Sequence, residues 1–269
     1  MVGVTTVALL ERRPNISRSL FSRYWRDVHG VMAARIPGFE SYTQYHVTPL
    51  ADVGSREPGP FEGIAVVTFT DEKDREGLVH SEITKHIQRD EQNVFRRVFL
   101  YNLAPGASVT VFDGDQAGNA SGYFVVVPAD SPVSTQELSS MLWAEGALTV
   151  RMHDLTSGDP SAWSSTATEA GSGSSPRFVG VVHAEWQDSR RAVSGIGRCV
   201  AASRGRVTAY RIDETHVMVE GGRPTQVGLR GLDAVRTIHE AGAVNQLDEA
   251  VIRAIYGDLG KVRTAQAGR

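Results

Sequence analysis

A chain that carries the same strand twice has to fold both copies. Residues 61–71 read FEGIAVVTFTD and residues 178–188 read FVGVVHAEWQD. Phe, Gly, an aromatic residue and Asp keep their places around an apolar middle. Upstream, GFESYTQYHV at 38–47 can be laid on GALTVRMHDL at 146–155. The offset rises from 108 (38 to 146) to 117 (61 to 178), so about nine extra residues separate these strands in the second copy. The low-complexity run SGDPSAWSSTATEAGSGSSP occupies that place and reads as a mobile inserted loop.

The first copy reads as βαββαβ. VTTVALLERR is a strand punctuated by Pro14 and Asn15, and Ser17 N-caps a helix that runs to about Arg35 before Pro37-Gly38 stops it. FESYTQYHV alternates as a second strand, LADVGSREPGP is a loop, and FEGIAVVTFTD is a third strand buried on both faces. Residues 74–100 carry a second helical pattern through Ile83, Ile87 and Val94, and ASVTVFD closes the unit. The expected division is a ferredoxin-like unit at 1–114, a linker at 115–121, and a second, degenerate unit at 122–215 with an inserted loop at 156–176. Residues 216–269 have no counterpart in the first copy. HVMVEGGRP suggests a strand or hairpin turning at Gly-Gly, followed by two amphipathic helices. Leu232, Val235 and Ile238 face inward on one, and Leu247, Val251 and Ile255 on the other.

Duplication has a physical reason. A four-stranded sheet covered by helices on one face leaves its other face bare, and that face must be buried. The second copy can bury it. The expected class is therefore α+β, with two ferredoxin-like units forming an intrachain α+β barrel plus C-terminal helices. Pairing of two such chains in a homodimer stays open.

Composition bounds the partners. Of 269 residues, 41% are hydrophobic and 22% charged, and 28 Lys+Arg against 31 Asp+Glu leave a charge of −3, with no basic run that would suit a nucleic acid. No segment offers about 18 continuous apolar residues, and the N-terminal MVGVTTVALLERRP lacks a basic start and a cleavage site. The expectation is a soluble cytoplasmic protein with neither nucleic acid nor membrane as partner. A single cysteine, Cys199, excludes an internal disulfide and a cysteine-rich metal site, and reads as buried and inert.

On the first helix, FSRYWRDVHG places Trp25 and His29 four apart on one face, with Phe21, Val28 and Met32 beside them. An imidazole within an apolar stripe is either a satisfied structural group or part of a pocket where a proton moves. The run FSRYWRDVHGVMAARIPGFESYTQYHV resembles the signature region of the EthD domain, a branch of the dimeric α+β barrel superfamily: an aromatic-Trp-x-x-x-His helix, a Pro-Gly turn, and a strand ending near Tyr-x-x-His. FEGIAVVTF and DEQNVF look like that family's third strand and second helix. The second copy matches weakly, with Ala147 four residues after Trp143 and Asp154 in place of His46. The resemblance implies a fold and a style of chemistry. Relatives in the superfamily include decarboxylases, dehydratases and cyclases of aromatic polyketides, cofactor-free oxygenases and haem-dependent enzymes, so natural-product biosynthesis or catabolism is the implied setting.

His29 is the leading candidate for acid–base work, since an imidazole titrates near neutral pH. On the following strand Tyr42, Gln44 and His46 share one face and Tyr45 the other. His46 and Tyr42 are therefore assigned as catalytic assistants, the phenol donating to a developing oxyanion. Tyr24, Trp25 and Phe39 form an expected aromatic wall, with His86 near Ile83 and Asp90 on the second helix. His183, mid-strand in the second copy, completes the expected substrate contacts, and His153 lies on the strand beside it. Asp90 and Glu91 read mainly as surface charge, and Asp27 as a partner of Arg23 or Arg26. No dinucleotide fingerprint, nucleophile elbow or metal spacing is present in the sequence. The leading expectation is a cofactor-independent lyase, cyclase, dehydratase or isomerase acting on a hydrophobic aromatic or polyketide-like small molecule. The alternatives are an oxidoreductase, cofactor-free or haem-dependent, and a non-catalytic binder of a hydrophobic metabolite.

Overall fold

The computed structural model describes residues 3–57, 59–114, 120–157, 168–170 and 178–257. In the first unit, β1 (Val4–Arg12) leads to α1 (Arg18–Tyr24), a π-helical turn (Trp25–His29) and α2 (Gly30–Ala33). Ser17 caps α1 by accepting from the Leu20 amide, as its sequence position predicts. β2 (Phe39–Pro49), β3 (Gly63–Phe69), α3 (Glu72–Gly77), α4 (Glu82–Val94) and β4 (Phe95–Asn102) follow. β5 (Ser108–Asp113) crosses to the second unit, which comprises β6 (Ser121–Pro128), α5 (Thr135–Ala144), β7 (Thr149–Asp154), β8 (Thr168–Ala170), β9 (Phe178–Trp186), α6 (Ser189–Ala202) and β10 (Thr208–Glu220). β11 (Arg223–Pro224), α7 (Gln226–Arg230), α8 (Leu232–Glu240) and α9 (Glu249–Tyr256) end the described chain.

The two sheets have one topology. The first is ordered β2-β3-β1-β4 and the second β7-β9-β6-β10, which is the ferredoxin-like order in each. β10 pairs with β2 and joins them into one continuous sheet. The duplicated strands keep equivalent roles. Asp71 caps α3 and Asp188 caps α6, each accepting backbone amides just beyond its own β-strand. Alternation along β1 sends Val7 and Leu9 toward the other sheet, and Val4, Ala8 and Leu10 toward the helices.

Three buried clusters result. One lies between the first sheet and its helices, one between the second sheet and α5–α6, and one between the two sheets. The inter-sheet cluster is built from both copies. Phe61 stands 5.4 Å from Phe178, its counterpart in the repeat, and also meets Phe99 and Tyr210. The interior of the α+β barrel is thus a packed core.

Three expectations need correction. The fourth strand of the first unit is β4, not ASVTVFD. FRRVFLYN follows α4 with no loop, because its β-branched and aromatic residues favour the extended backbone that begins at Phe95. ASVTVFD instead forms β5, which pairs with β7 at the edge of the second sheet. The unit boundary at 215 falls inside β10, whose last residues extend the first sheet and bring Met218 and Val219 into its helix-side core. Ile255 is 55% exposed rather than inward. α9 turns so that Tyr256 lies under the guanidinium groups of Arg35 and Arg230. The Gly221-Gly222 hairpin forms as expected, with α7 an additional short helix. Most of the inserted run at 157–176 lies outside the described residues, but β8 within it pairs in parallel with β4. Among the described residues no helix is long and apolar enough to cross a membrane.

Because Phe61 is fully buried where the copies meet, truncation there acts on both. Phe61→Ala should lower stability by about 3–5 kcal/mol. Chemical denaturation should still show one transition, because both sheets lose the same partner.

Candidate active site

The first unit encloses a cavity of about 100 Å3 between the helix face of its sheet and α1–α4. Its walls come from successive inward positions: Ala8 and Leu10 on β1, Ala65 and Val67 on β3, Val98 and Leu100 on β4, and Ile87 on α4. Trp25, His29, Phe39 and Tyr42 line it as well. Its polar lining is sparse: His29, Tyr42, Thr6, Arg75, Glu91 and Asn102.

The π-helical turn sets the position of His29. The Gly30 amide reaches back five residues to the Trp25 carbonyl, which also accepts from the Gln44 side chain at 3.1 Å. A Cβ on Gly30 would stand 2.4 Å from Gln44 Nε2, so the glycine lets the β2 side chain reach the helix backbone. Gly63 on β3 likewise leaves room for the Trp25 ring. The extra residue in this turn explains why Val28 is exposed rather than inward. Trp25 and His29 nevertheless share the cavity face and both pack edge-on against Phe95.

His29 is buried, with Nδ1 3.0 Å from Asp90 Oδ2. The other carboxylate oxygen accepts from Tyr24 at 2.5 Å and from Asn93 at 3.0 Å. Burial pushes the Asp90 pKa up, but the hydrogen bonds from His29, Tyr24 and Asn93 outweigh it and hold the group below its ordinary range. Asp90 is therefore ionised, and His29 Nδ1 carries the proton it donates. Burial, reinforced by Asp90, pushes the Tyr24 phenol up to about 12. Tyr42 is buried and its pKa is also raised to about 12, chiefly by desolvation. The Gln44 amide donates to its oxygen at 2.8 Å.

His46 does not join this group. It shares a strand face with Tyr42 and Gln44, as alternation predicts, but it lies beyond the Trp25 ring and lines a separate polar cleft. Ser22 Oγ lies 2.9 Å from its Nδ1, and Gln44 Oε1 lies 3.4 Å from its Nε2. Burial, then the neighbouring His216 and Arg26, lower its pKa to about 3, so at neutral pH it is an uncharged structural ring. The expected pairing of His46 with Tyr42 in one cavity is corrected accordingly. His86 is exposed on α4 and absent from the lining, because the helix turns Thr84, Ile87 and Glu91 inward instead. His183 sits on the barrel face of β9, stacked on Phe124 and beside Tyr45, on the far side of the sheets from His29. His153 is buried against Ser108. Tyr24 contributes through Asp90 and does not line the cavity. Trp25, Phe39 and Tyr42 stand in the wall as expected.

Asp90 is the group that sequence reasoning undervalues. It lies three residues after Ile87 and four before Val94, at the margin of the buried stripe of α4, and that position is the available signal. Asn102 escapes sequence reasoning because the helical spacing through 74–100 masks its strand. Asp27 pairs with Arg26, as its place in the sequence allows, and also accepts the Leu232 amide at 2.7 Å, capping α8. Cys199 is buried, and burial raises its thiol to about 11. Among the described residues no three His, Cys, Asp or Glu side chains gather as metal ligands would.

Residues 13–96 match the EthD domain. No curated protein matches the chain. Solved structures that resemble it at low identity include three with these measures. An anthrone oxidase-like protein shares 13% identity over 84% of this chain and 97% of its own, with a TM-score of 0.47. A candidate monooxygenase from Fusobacterium nucleatum shares 9% over 83% and 97%, with a TM-score of 0.43. Another from Lactobacillus acidophilus shares 9% over 84% and 100%, with a TM-score of 0.42.

The buried imidazoles set an acid limit on the fold. His46, His153 and His183 each have a pKa lowered to about 3, chiefly by desolvation. Unfolded, they titrate near 6.5. Between these values the unfolded chain binds more protons, so stability rises with pH across the window and is lost on acidification. Denaturation from pH 7 to pH 4 should show this slope, and His153→Gln should flatten it by about 1 kcal/mol per pH unit.

Proposed function

We propose that this chain, with its EthD domain at residues 13–96, is an enzyme that moves a proton on a small, largely apolar molecule held between the first sheet and its helices. The observation that carries this reading is the buried His29 ring in the wall of an otherwise apolar cavity, backed from behind the wall by the half-buried Asp90 carboxylate. A carboxylate on Nδ1 fixes the tautomer, leaves Nε2 as the basic atom, and stabilises the imidazolium formed when a proton is taken. The Tyr24 and Asn93 hydrogen bonds keep that carboxylate ionised and in place. Tyr42 supports the complementary role. Because the Gln44 amide donates to its oxygen, its own proton is available to an oxyanion forming on the substrate.

One base and one phenolic donor suit enolisation, dehydration, decarboxylation or ring closure. Oxygenation without a cofactor, with dioxygen as co-reactant, begins with the same proton removal. Haem does not fit these residues, since a cavity of about 100 Å3 falls below even the usual small-molecule range of about 300–1,000 Å3. A polyketide-sized substrate exceeds the same limit, which favours a smaller one.

Proton abstraction can be tested whatever product follows it. A panel of small aromatic ketones and phenols is incubated in deuterated water, with exchange followed by mass spectrometry and dioxygen uptake by electrode. His29→Gln should lose about 10²–10⁴-fold in rate. Asp90→Asn should also lose activity, and because its amide sets a donor against His29 Nδ1 or the Tyr24 hydroxyl its melting temperature should fall as well, so its rate is compared at a temperature where the variant is folded. A His29→Gln protein that reacts at the wild-type rate overturns the reading. Dioxygen uptake that depends on His29 selects the oxygenase form.

A further inference from the structure

The cavity has a second polar end that acid–base chemistry does not use. Thr6 and Leu10, both in its wall, are four residues apart on β1, roughly 13 Å along the strand. Leu10 pairs with Val98, near the Phe95 ring that touches His29. Thr6 pairs with Asn102. The imidazole and the Asn102 amide thus stand toward opposite ends.

Asn102 is 4% exposed. Its Oδ1 accepts from the Thr6 hydroxyl at 2.8 Å, while among the described residues its Nδ2 has no partner. An amide donor buried without a partner is costly, by about 1–3 kcal/mol. The charges nearby are committed. Arg75 is held by Glu72 and by the carbonyls of Thr5 and Leu103, and Glu91 adds a carboxyl to the lining. An anionic ligand group would meet no free cation among these residues, whereas a neutral acceptor would complete Asn102.

We propose that the Asn102 end of the cavity is a subsite for a neutral carbonyl oxygen, so that the ligand is a compact apolar molecule bearing a ketone-type group on the side away from the proton that His29 removes. This inference rests on the acid–base reading only for which end reacts; the binding it predicts is independent of turnover.

Binding to the full chain is measured by calorimetry with three probes of one skeleton: 1-tetralone, tetralin, and tetralin-1-carboxylate. Wild-type protein should bind the ketone roughly tenfold more tightly than the hydrocarbon, and the carboxylate more weakly than either. Asn102→Leu should abolish the ketone preference while leaving tetralin affinity within about twofold. Thr6→Val/Asn102→Leu removes both hydrogen-bonding partners and should do the same with an unchanged melting temperature, which separates loss of the subsite from loss of fold. Equal affinity of wild type for ketone and hydrocarbon overturns the subsite, as does a preference that survives in the double variant or tightest binding of the carboxylate. A His29→Gln protein that keeps the ketone preference supports it even if the exchange experiment fails, so the two readings fail separately.

Discussion

The structure depends on two bare sheet faces covering each other. Neither ferredoxin-like sheet has helices on its inner side, so each exposes a row of apolar residues that only the other can bury. Phe61 against Phe178 marks the meeting of the copies, with Phe99 and Tyr210 completing the packing. Strand exchange reinforces the contact: β5 of the first unit pairs with β7 of the second, β8 returns to β4, and β10 bridges to β2. A linker alone would leave the copies free to separate, whereas these pairings place backbone hydrogen bonds across the division.

The centre of the barrel is filled, and the space left on that face is a polar cleft at its end, beside Tyr45 and His183. The inter-sheet core is packed, so the apolar cavity lies on the helix side of the first sheet. The copies also diverge there. At the positions laid on Tyr42 and His46, the second unit has Val150 and Asp154, and Ala147 stands four residues after Trp143. Its helix-side core is closed by Leu138, Leu142, Ile196 and Cys199. Under the proposed reading, the first copy carries the reacting side chains and the second supplies the surface that holds the first sheet in shape. The C-terminal extension adds to that support at the π-helical turn. Arg26 is 3% exposed and pairs with Asp27, which also caps α8 through the Leu232 amide. Asp233 reaches the same guanidinium. A π turn is a less regular helix than an α turn, and this one is held by groups from outside its own unit.

Much of the fold was legible because it is written in periodicities. Ser17 as a cap, the Pro37-Gly38 stop, the alternation of Tyr42, Gln44 and His46 and the repeated FxG…D strand each follow from a local rule, and the duplication extends that rule to topology. The misreadings occur where two rules compete. FRRVFLYN is apolar at both helical and strand spacing and follows a helix without a turn signal, so its true period could not be separated from that of α4. Within the site, His29 was legible because a lone imidazole interrupts an apolar stripe. Asp90 was not, because a carboxylate at the edge of an amphipathic helix looks the same whether it faces water or a buried ring. Only the approach of α4 to the π-helical turn distinguishes them.

The same approach separates His29 from the other buried imidazoles. His46, His153 and His183 are also withdrawn from water, and desolvation leaves each uncharged far below neutral pH. A ring in that condition can pack and accept a hydrogen bond, but it holds a proton too weakly to act as a base at pH 7. His29 shares their burial and differs in having an ionised carboxylate on Nδ1, itself held by a phenol and an amide. That carboxylate, and not burial, is what sets His29 apart from the other enclosed imidazoles, and the proton abstraction proposed for this ring rests on it.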